Sequence, residues 1–194
     1  MSKDPTPELP PGLPVPIDDG AAGHLRGMPM PSVPLPSTSG GTVDVSRLPG
    51  RTVVYCYPHT GRPGEPSVAE WDAIPGARGC TPESCSFRDH HAELGRLGLR
   101  VFGLSADDPG WQREAATRLR LPFELLSDSS FAFAQALRLP TFEFQGRRYL
   151  KRLTLVARDG RIEKVFYPVF PPDRHVLEVL AWPGARPRVE KELI

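Results

Sequence analysis

The chain has 194 residues, 24% of them charged and 39% hydrophobic, with 24 basic and 23 acidic side chains and a formal net charge of +1. That length suits one domain with a sizeable core, and the even charge balance speaks against nucleic acid or an anionic membrane surface as a partner. No apolar run approaches the ~20 residues of a membrane helix, and the start, Met1-Ser-Lys-Asp-Pro-Thr-Pro7, lacks the layout of a secretory signal. A cytoplasmic protein is expected.

The chain carries 24 prolines, and Pro5, Pro7, Pro10, Pro11, Pro14, Pro16, Pro29, Pro31, Pro34 and Pro36 crowd its first forty positions. Proline fixes φ and lacks a backbone donor, so this stretch cannot be a long helix or a central strand. It reads as extended chain draped over the domain, with residues 1–9 a flexible tail and a helical turn near Ile17 to Leu25. We therefore divide the chain into a proline-rich extension, 1–27, and a domain, 28–194. Gly40-Gly41 gives a turn before a short strand at Thr42–Val45.

From Thr52 the pattern firms up. Thr52-Val-Val-Tyr-Cys-Tyr57, stopped by Pro58, predicts a buried strand. Residues 59–79 read as a loop, and a loop of that length is more often functional than not. Thr81, Pro82 and Glu83 predict a helix start: a capping hydroxyl, a proline in the first turn and an acid at the positive end of the dipole. Phe87, His91, Leu94 and Leu97 continue at helical spacing to Gly98. Strand 100–105, helix 109–119, strand 123–127 and helix 130–137 follow. A small hairpin at 142–149 comes next, then a hairpin from Arg152 to Phe166 with Asp159-Gly160 at its turn, then a helix at 173–182. Alternating strands and helices that finish on a hairpin predict an α/β sandwich with a central mixed sheet flanked by helices.

Three cysteines are too few for a disulfide scaffold. Cys56 lies inside the predicted central strand and reads as buried and inert. Cys80 ends a Gly-rich loop at a helix start, where free backbone donors and the dipole favour an anion, so its thiol is expected to be lowered. A thiolate there can attack the O–O bond of a hydroperoxide and become a sulfenic acid, which a nearby thiol converts to a disulfide. Cys85 is the nearest thiol. Five residues of helix are ~7.5 Å of rise, and a disulfide needs Cα atoms within ~7 Å and converging Cβ vectors, so closing the pair requires the helix start to unwind. Two other readings stand beside this one. Cys85 is also compatible with a small buried hydrophobe, and Cys-x4-Cys with a metal pair, although the ligand spacing usual for zinc is Cys-x2–4-Cys and no second cysteine pair exists. We expect neither metal nor cofactor.

The segment Gly79-Cys-Thr-Pro-Glu-Ser-Cys-Ser-Phe-Arg-Asp89 resembles the active-site segment of peroxiredoxins of the bacterioferritin-comigratory-protein, or PrxQ, subfamily. Val53–Pro58, Val101–Asp107, Phe123–Asp128 and Arg152–Val156 with Asp159-Gly160 resemble further stretches of that family, so the likeness spans roughly residues 28–182. It implies a thioredoxin-like fold and a thiol-dependent peroxidase acting on hydrogen peroxide and organic hydroperoxides, recycled by thioredoxin or a similar thiol reductant, as a monomer. By position it makes Cys80 the peroxidatic thiol, Cys85 the resolving thiol, and Arg152 the cation facing the peroxidatic sulfur. The family places a threonine three residues before the peroxidatic cysteine, where this chain has Ala77. The expectation is that Pro58 shields the sulfur and the Thr60 hydroxyl orients the peroxide, with the rest of 59–79 looping out; His59 and Ser67 are further polar candidates. A thiol–disulfide oxidoreductase would favour Cys-x2-Cys, which is absent. A non-enzymatic thioredoxin-fold binding module would leave the cysteines and Arg152 incidental.

Overall fold

The computed structural model describes residues 8–64 and 67–185. Residues 1–7 and 186–194, including most of the expected tail, lie outside them. The strands are β1 (Leu35–Pro36), β2 (Thr42–Val43), β3 (Arg51–Cys56), β4 (Leu99–Ser105), β5 (Glu124–Ser127), β6 (Thr141–Phe144), β7 (Arg147–Leu150), β8 (Leu153–Arg158) and β9 (Arg161–Phe166). The helices are α1 (Ala69–Asp72), α2 (Cys80–Asp89), α3 (His91–Arg96), α4 (Pro109–Arg118), α5 (Ala132–Leu137) and α6 (His175–Ala181). Five strands form one sheet in the order β5-β4-β3-β8-β9. β3, β4 and β5 run parallel, while β8 and β9 are antiparallel, which is the expected mixed sheet. No helix among the described residues is long and apolar enough to cross a membrane.

β3 is central because every residue in it is buried, and its side chains alternate between two cores. Val54 and Cys56 enter one core with Phe102, Leu104, Leu126 and Leu155. Val53, Tyr55 and Tyr57 enter the other with Cys80, Phe87, Leu94, Ala115 and Val176. The second core is covered by helices α2, α3, α4 and α6. The first is covered by α5 and by the proline-rich arm. Cys56 and Cys80 therefore stand on opposite faces of the sheet.

The arm solves an edge problem. Bare outer strands invite pairing with another chain. Gly27 N donates to Ile162 O at 2.8 Å, Met30 N donates to Gly160 O at 2.7 Å, and Ile162 N donates back to Met28 O at 2.9 Å, all along β9. Thr38 N donates to Leu125 O at 3.1 Å on β5, the opposite edge. Between these contacts Ala22, Leu25, Met30 and Leu35 sink into the core.

Three local expectations are corrected. The helix predicted from Thr81 to Leu97 is two helices, α2 and α3, because His90 leaves helical geometry at φ −104° and ψ 7°. The second strand is shorter than Thr42–Val45: Asp44 caps a 3-10 turn over Val45–Arg47, its carboxylate accepting from Ser46 N at 3.0 Å. The segment 59–79 also carries one short helix, α1, rather than loop throughout. Leu25 is fully buried, so Leu25→Ala should cost about 2–5 kcal/mol of stability. A denaturant midpoint unchanged by the substitution would show that the arm is a passive covering.

Candidate active site

The site is assembled at the start of α2. Gly79 is the N-cap, in the left-handed region at φ 109°. A Cβ there would lie 2.5 Å from Pro172 Cγ and 2.8 Å from Leu9 Cδ2, so only glycine fits. Helical geometry begins at Cys80 itself, two residues earlier than a Thr81 cap would place it, and no side chain caps the helix. Pro82 falls in the first turn, where an absent N–H costs nothing.

Cys80 Sγ lies 3.1 Å from Arg152 Nη2 and 3.6 Å from Ala77 O, and the His59 amide donates to it. Arg152 stands just ahead of β8, 3% exposed. Its guanidinium is spent on four further acceptors. Nη1 pairs with the Glu83 carboxylate, Nε reaches Gly76 O at 3.2 Å, and Nη2 reaches Ala77 O at 3.3 Å and Arg78 O at 3.4 Å. The sequence reading gave Glu83 only a role at the helix dipole. In the structure it is the buried counterion of Arg152, and burial pushes its carboxyl up to about 7 against the pull of that cation.

The electrostatics correct one expectation. Burial pushes the Cys80 thiol up, while Arg152 and the His59 amide pull it down, and burial prevails. A helix N-terminus alone does not yield a lowered thiol once the sulfur is shut away from water. Burial pushes the Cys56 thiol up further, as expected for an inert strand cysteine.

Cys85 is buried in the body of α2, and none of the three cysteines is in a disulfide. α2 is unbroken from Cys80 to Asp89, so the two cysteines are held apart by an intact helix. Among the described residues no group of three or more His, Cys, Asp or Glu side chains is placed to hold a metal.

A cavity of about 480 Å³ opens onto Cys80. Its apolar wall comes from Leu9 and Pro10 of the arm, Val68 and Trp71 around α1, and Phe144 and Tyr149 of the β6–β7 hairpin; Arg62, Arg78 and Arg118 add positive charge. Trp71 fastens the 59–79 segment to that hairpin, with ring centroids 5.7 Å from Phe142, 5.3 Å from Phe144 and 5.0 Å from Tyr149. Of the predicted site residues, the structure brings Cys80 and Arg152 together. His59 and Ser67 line the cavity, whereas Pro58 and Thr60 are buried and absent from its lining. Thr60 N donates to Asp107 Oδ2 at 3.3 Å and its carbonyl accepts from Trp111 Nε1 at 2.7 Å, while its Oγ1 has no partner. Asp107, which the sequence reading did not single out, binds His59 Nδ1 across 48 residues of chain, a separation that no local pattern reveals.

Residues 25–180 match the Redoxin family model. Over 156 residues the chain is 30% identical to chloroplastic peroxiredoxin Q of Populus jackii, covering 80% of this chain and 66% of that protein. It is 28% identical to chloroplastic peroxiredoxin Q of Sedum lineare, covering 80% of this chain and 75% of that one. The chain thus spans about two thirds to three quarters of the length of these relatives. The crystal structure of peroxidoxin BcpB from Mycobacterium tuberculosis superposes with a TM-score of 0.65 at 26% identity, covering 80% of this chain and 94% of that one. The thioredoxin-like fold implied by the sequence is the one observed. A domain match across most of the chain, a shared fold and a paired-cysteine helix start facing a buried arginine converge on one conclusion: the chain belongs to the redoxin family, and the relatives it matches are peroxiredoxins of the Q and Bcp type.

Proposed function

We propose that this protein is a thiol-dependent peroxidase in which Cys80 is the nucleophile and Cys85 resolves its oxidised form. The observation that carries the reading is the Arg152 guanidinium 3.1 Å from Cys80 Sγ at the base of an open cavity. The Cys80 thiolate attacks the terminal oxygen of a hydroperoxide. The O–O bond breaks, sulfur is oxidised by two electrons to a sulfenic acid, and the other oxygen leaves as water or an alcohol. A guanidinium at this distance stabilises the thiolate and the negative charge that spreads onto the breaking bond. Pro58 and Thr60 act from behind the lining, supporting the His59 backbone rather than touching the peroxide.

The sulfenic acid is neutral, so oxidation removes the charge that Arg152 faces. The uncapped first turn of α2 then unwinds, Cys85 sulfur attacks Cys80 sulfur, a disulfide forms and water leaves. An external dithiol of the thioredoxin type returns both cysteines to thiols. Both sulfurs belong to one chain, so a monomer completes the cycle. The aromatic wall around Trp71 favours organic hydroperoxides with an apolar tail over hydrogen peroxide.

Reduced protein mixed with a stoichiometric hydroperoxide should consume it in one fast phase, and peptide mass mapping should find Cys80 joined to Cys85. Cys80→Ser should abolish consumption. Cys85→Ser should still turn over once and stop at the sulfenic acid; a Cys56 linkage in either case would sink the assignment. Arg152→Lys keeps the charge but loses the fork. It should slow peroxide attack by on the order of a hundredfold and raise the thiol's titration, read by ultraviolet thiolate absorbance. Trp71→Ala should reduce the rate with bulky hydroperoxides such as cumene hydroperoxide more than with hydrogen peroxide; equal changes for both would detach the wall from substrate choice.

A further inference from the structure

Peroxide reduction by a buried thiol poses a proton problem at each end. The thiol must lose its proton before it attacks, and the departing oxygen must gain one. Arg152 cannot serve either end, because a guanidinium stays protonated. Glu83 is occupied by Arg152 and does not line the cavity. His59 does line it, beside Cys80. Its amide already donates to the sulfur, and its side chain is 23% exposed.

The imidazole is also oriented. Nδ1 faces the Asp107 carboxylate, which fixes the proton on Nδ1 and leaves Nε2 as the acceptor. Among the described residues Nε2 has no hydrogen-bond partner. Asp107 is itself 2% exposed and held in place: Ser105 Oγ donates to its Oδ2 at 3.1 Å, and Thr60 N does so at 3.3 Å. The ring packs against Trp111 at 4.8 Å, Tyr149 at 6.1 Å and Trp71 at 6.4 Å between centroids. These contacts leave the ring little freedom except toward the cavity.

We propose that His59, oriented by Asp107, is the proton shuttle of this peroxidase, a role that rests on Cys80 being the nucleophile. The Cys80 thiol proton passes to His59 Nε2. The thiolate attacks the terminal peroxide oxygen, the S–O bond forms and the O–O bond breaks. The leaving alkoxide takes the same proton back from Nε2. The Asp107 carboxylate stabilises the transient imidazolium through its contact with Nδ1. Protons and electrons balance with no further reactant. Burial of the sulfur, which pushes the thiol up, is what makes a base at this position useful. The groups that face His59 are Asp107 from the β4–α4 turn, Trp111 from α4, Trp71 from α1, Tyr149 from β7 and Cys80 from α2. The Arg62 guanidinium lies over Trp111, 3.6 Å from that ring's centroid.

The test is His59→Asn, which keeps an N–H near the Nδ1 position for Asp107 but removes the titrating nitrogen. Rates of Cys80 oxidation are measured by stopped flow at neutral pH and divided by the thiolate fraction read in the ultraviolet. With tert-butyl hydroperoxide, whose alkoxide needs a proton, the variant should be slower by on the order of a hundredfold, and added imidazole should restore part of the rate. With peracetic acid, whose carboxylate leaves without a proton, the corrected rate should change little. His59→Gln carries the same expectation, with folding of both variants checked by circular dichroism. Equal losses with both peroxides, or no loss with either, would overturn the shuttle. If wild-type Cys80 reacts with neither peroxide, the peroxidase reading fails instead.

Discussion

Arg152 is the constraint around which the rest is arranged. A guanidinium shut away from water must be paired and hydrogen-bonded on all sides or the fold forfeits several kcal/mol. Here the partners come from two adjoining stretches of the chain: Glu83 and Cys80 from α2, and the carbonyls of Gly76, Ala77 and Arg78 from the loop before it. Satisfying one cation therefore fixes where α2 begins, how the loop enters it and where the sulfur points. Gly79 follows from the same demand, because the loop must turn into the helix while pressed against Pro172 and Leu9.

This arrangement sets two effects on the sulfur against each other. Burial disfavours the thiolate and Arg152 favours it, and the first prevails in the closed, reduced state. The sulfur is thus held in a site that suits its attack geometry more than its ionisation. Cys85 shares the helix yet cannot reach Cys80 without breaking it. The first turn is the part most able to give way, having no side-chain cap and a proline that contributes no donor.

The fold was largely legible in the sequence because its strands carry strong signals. Thr52–Tyr57 reads as a two-sided buried strand, and Asp159-Gly160 turns the β8–β9 hairpin. Local pattern failed where a long-range contact decided the outcome. Thr81 looked like a cap, but packing at Gly79 moved the helix start back to Cys80. Glu83 reads locally as an acid at the positive end of the helix dipole, and only the position of Arg152, far along the chain, makes it a buried counterion. Cys80 was legible as a nucleophile from its flanking residues, yet its pairing with Arg152 came from resemblance, since spacing cannot join residues so distant. Thr60 was misplaced for a similar reason. The resemblance gave its hydroxyl the task of orienting the peroxide, but Trp111 and Asp107 hold its backbone and leave it behind the lining.

The 59–79 segment is held at its middle by Trp71 on the β6–β7 hairpin and at its end by the carbonyls that Arg152 grips. The wall of the cavity and the nucleophile thus hang from one anchor. The Ala77 and Arg78 carbonyls and the Cys80 sulfur all meet the same Nη2 group, so motion that carries Cys80 off Arg152 starts at the group that holds the end of this segment. In the proposed cycle, unwinding α2 to reach Cys85 and loosening the wall that surrounds the product would be a single event. The bulkier the leaving alcohol, the more that coupling matters, because release need not wait for a separate opening of the pocket.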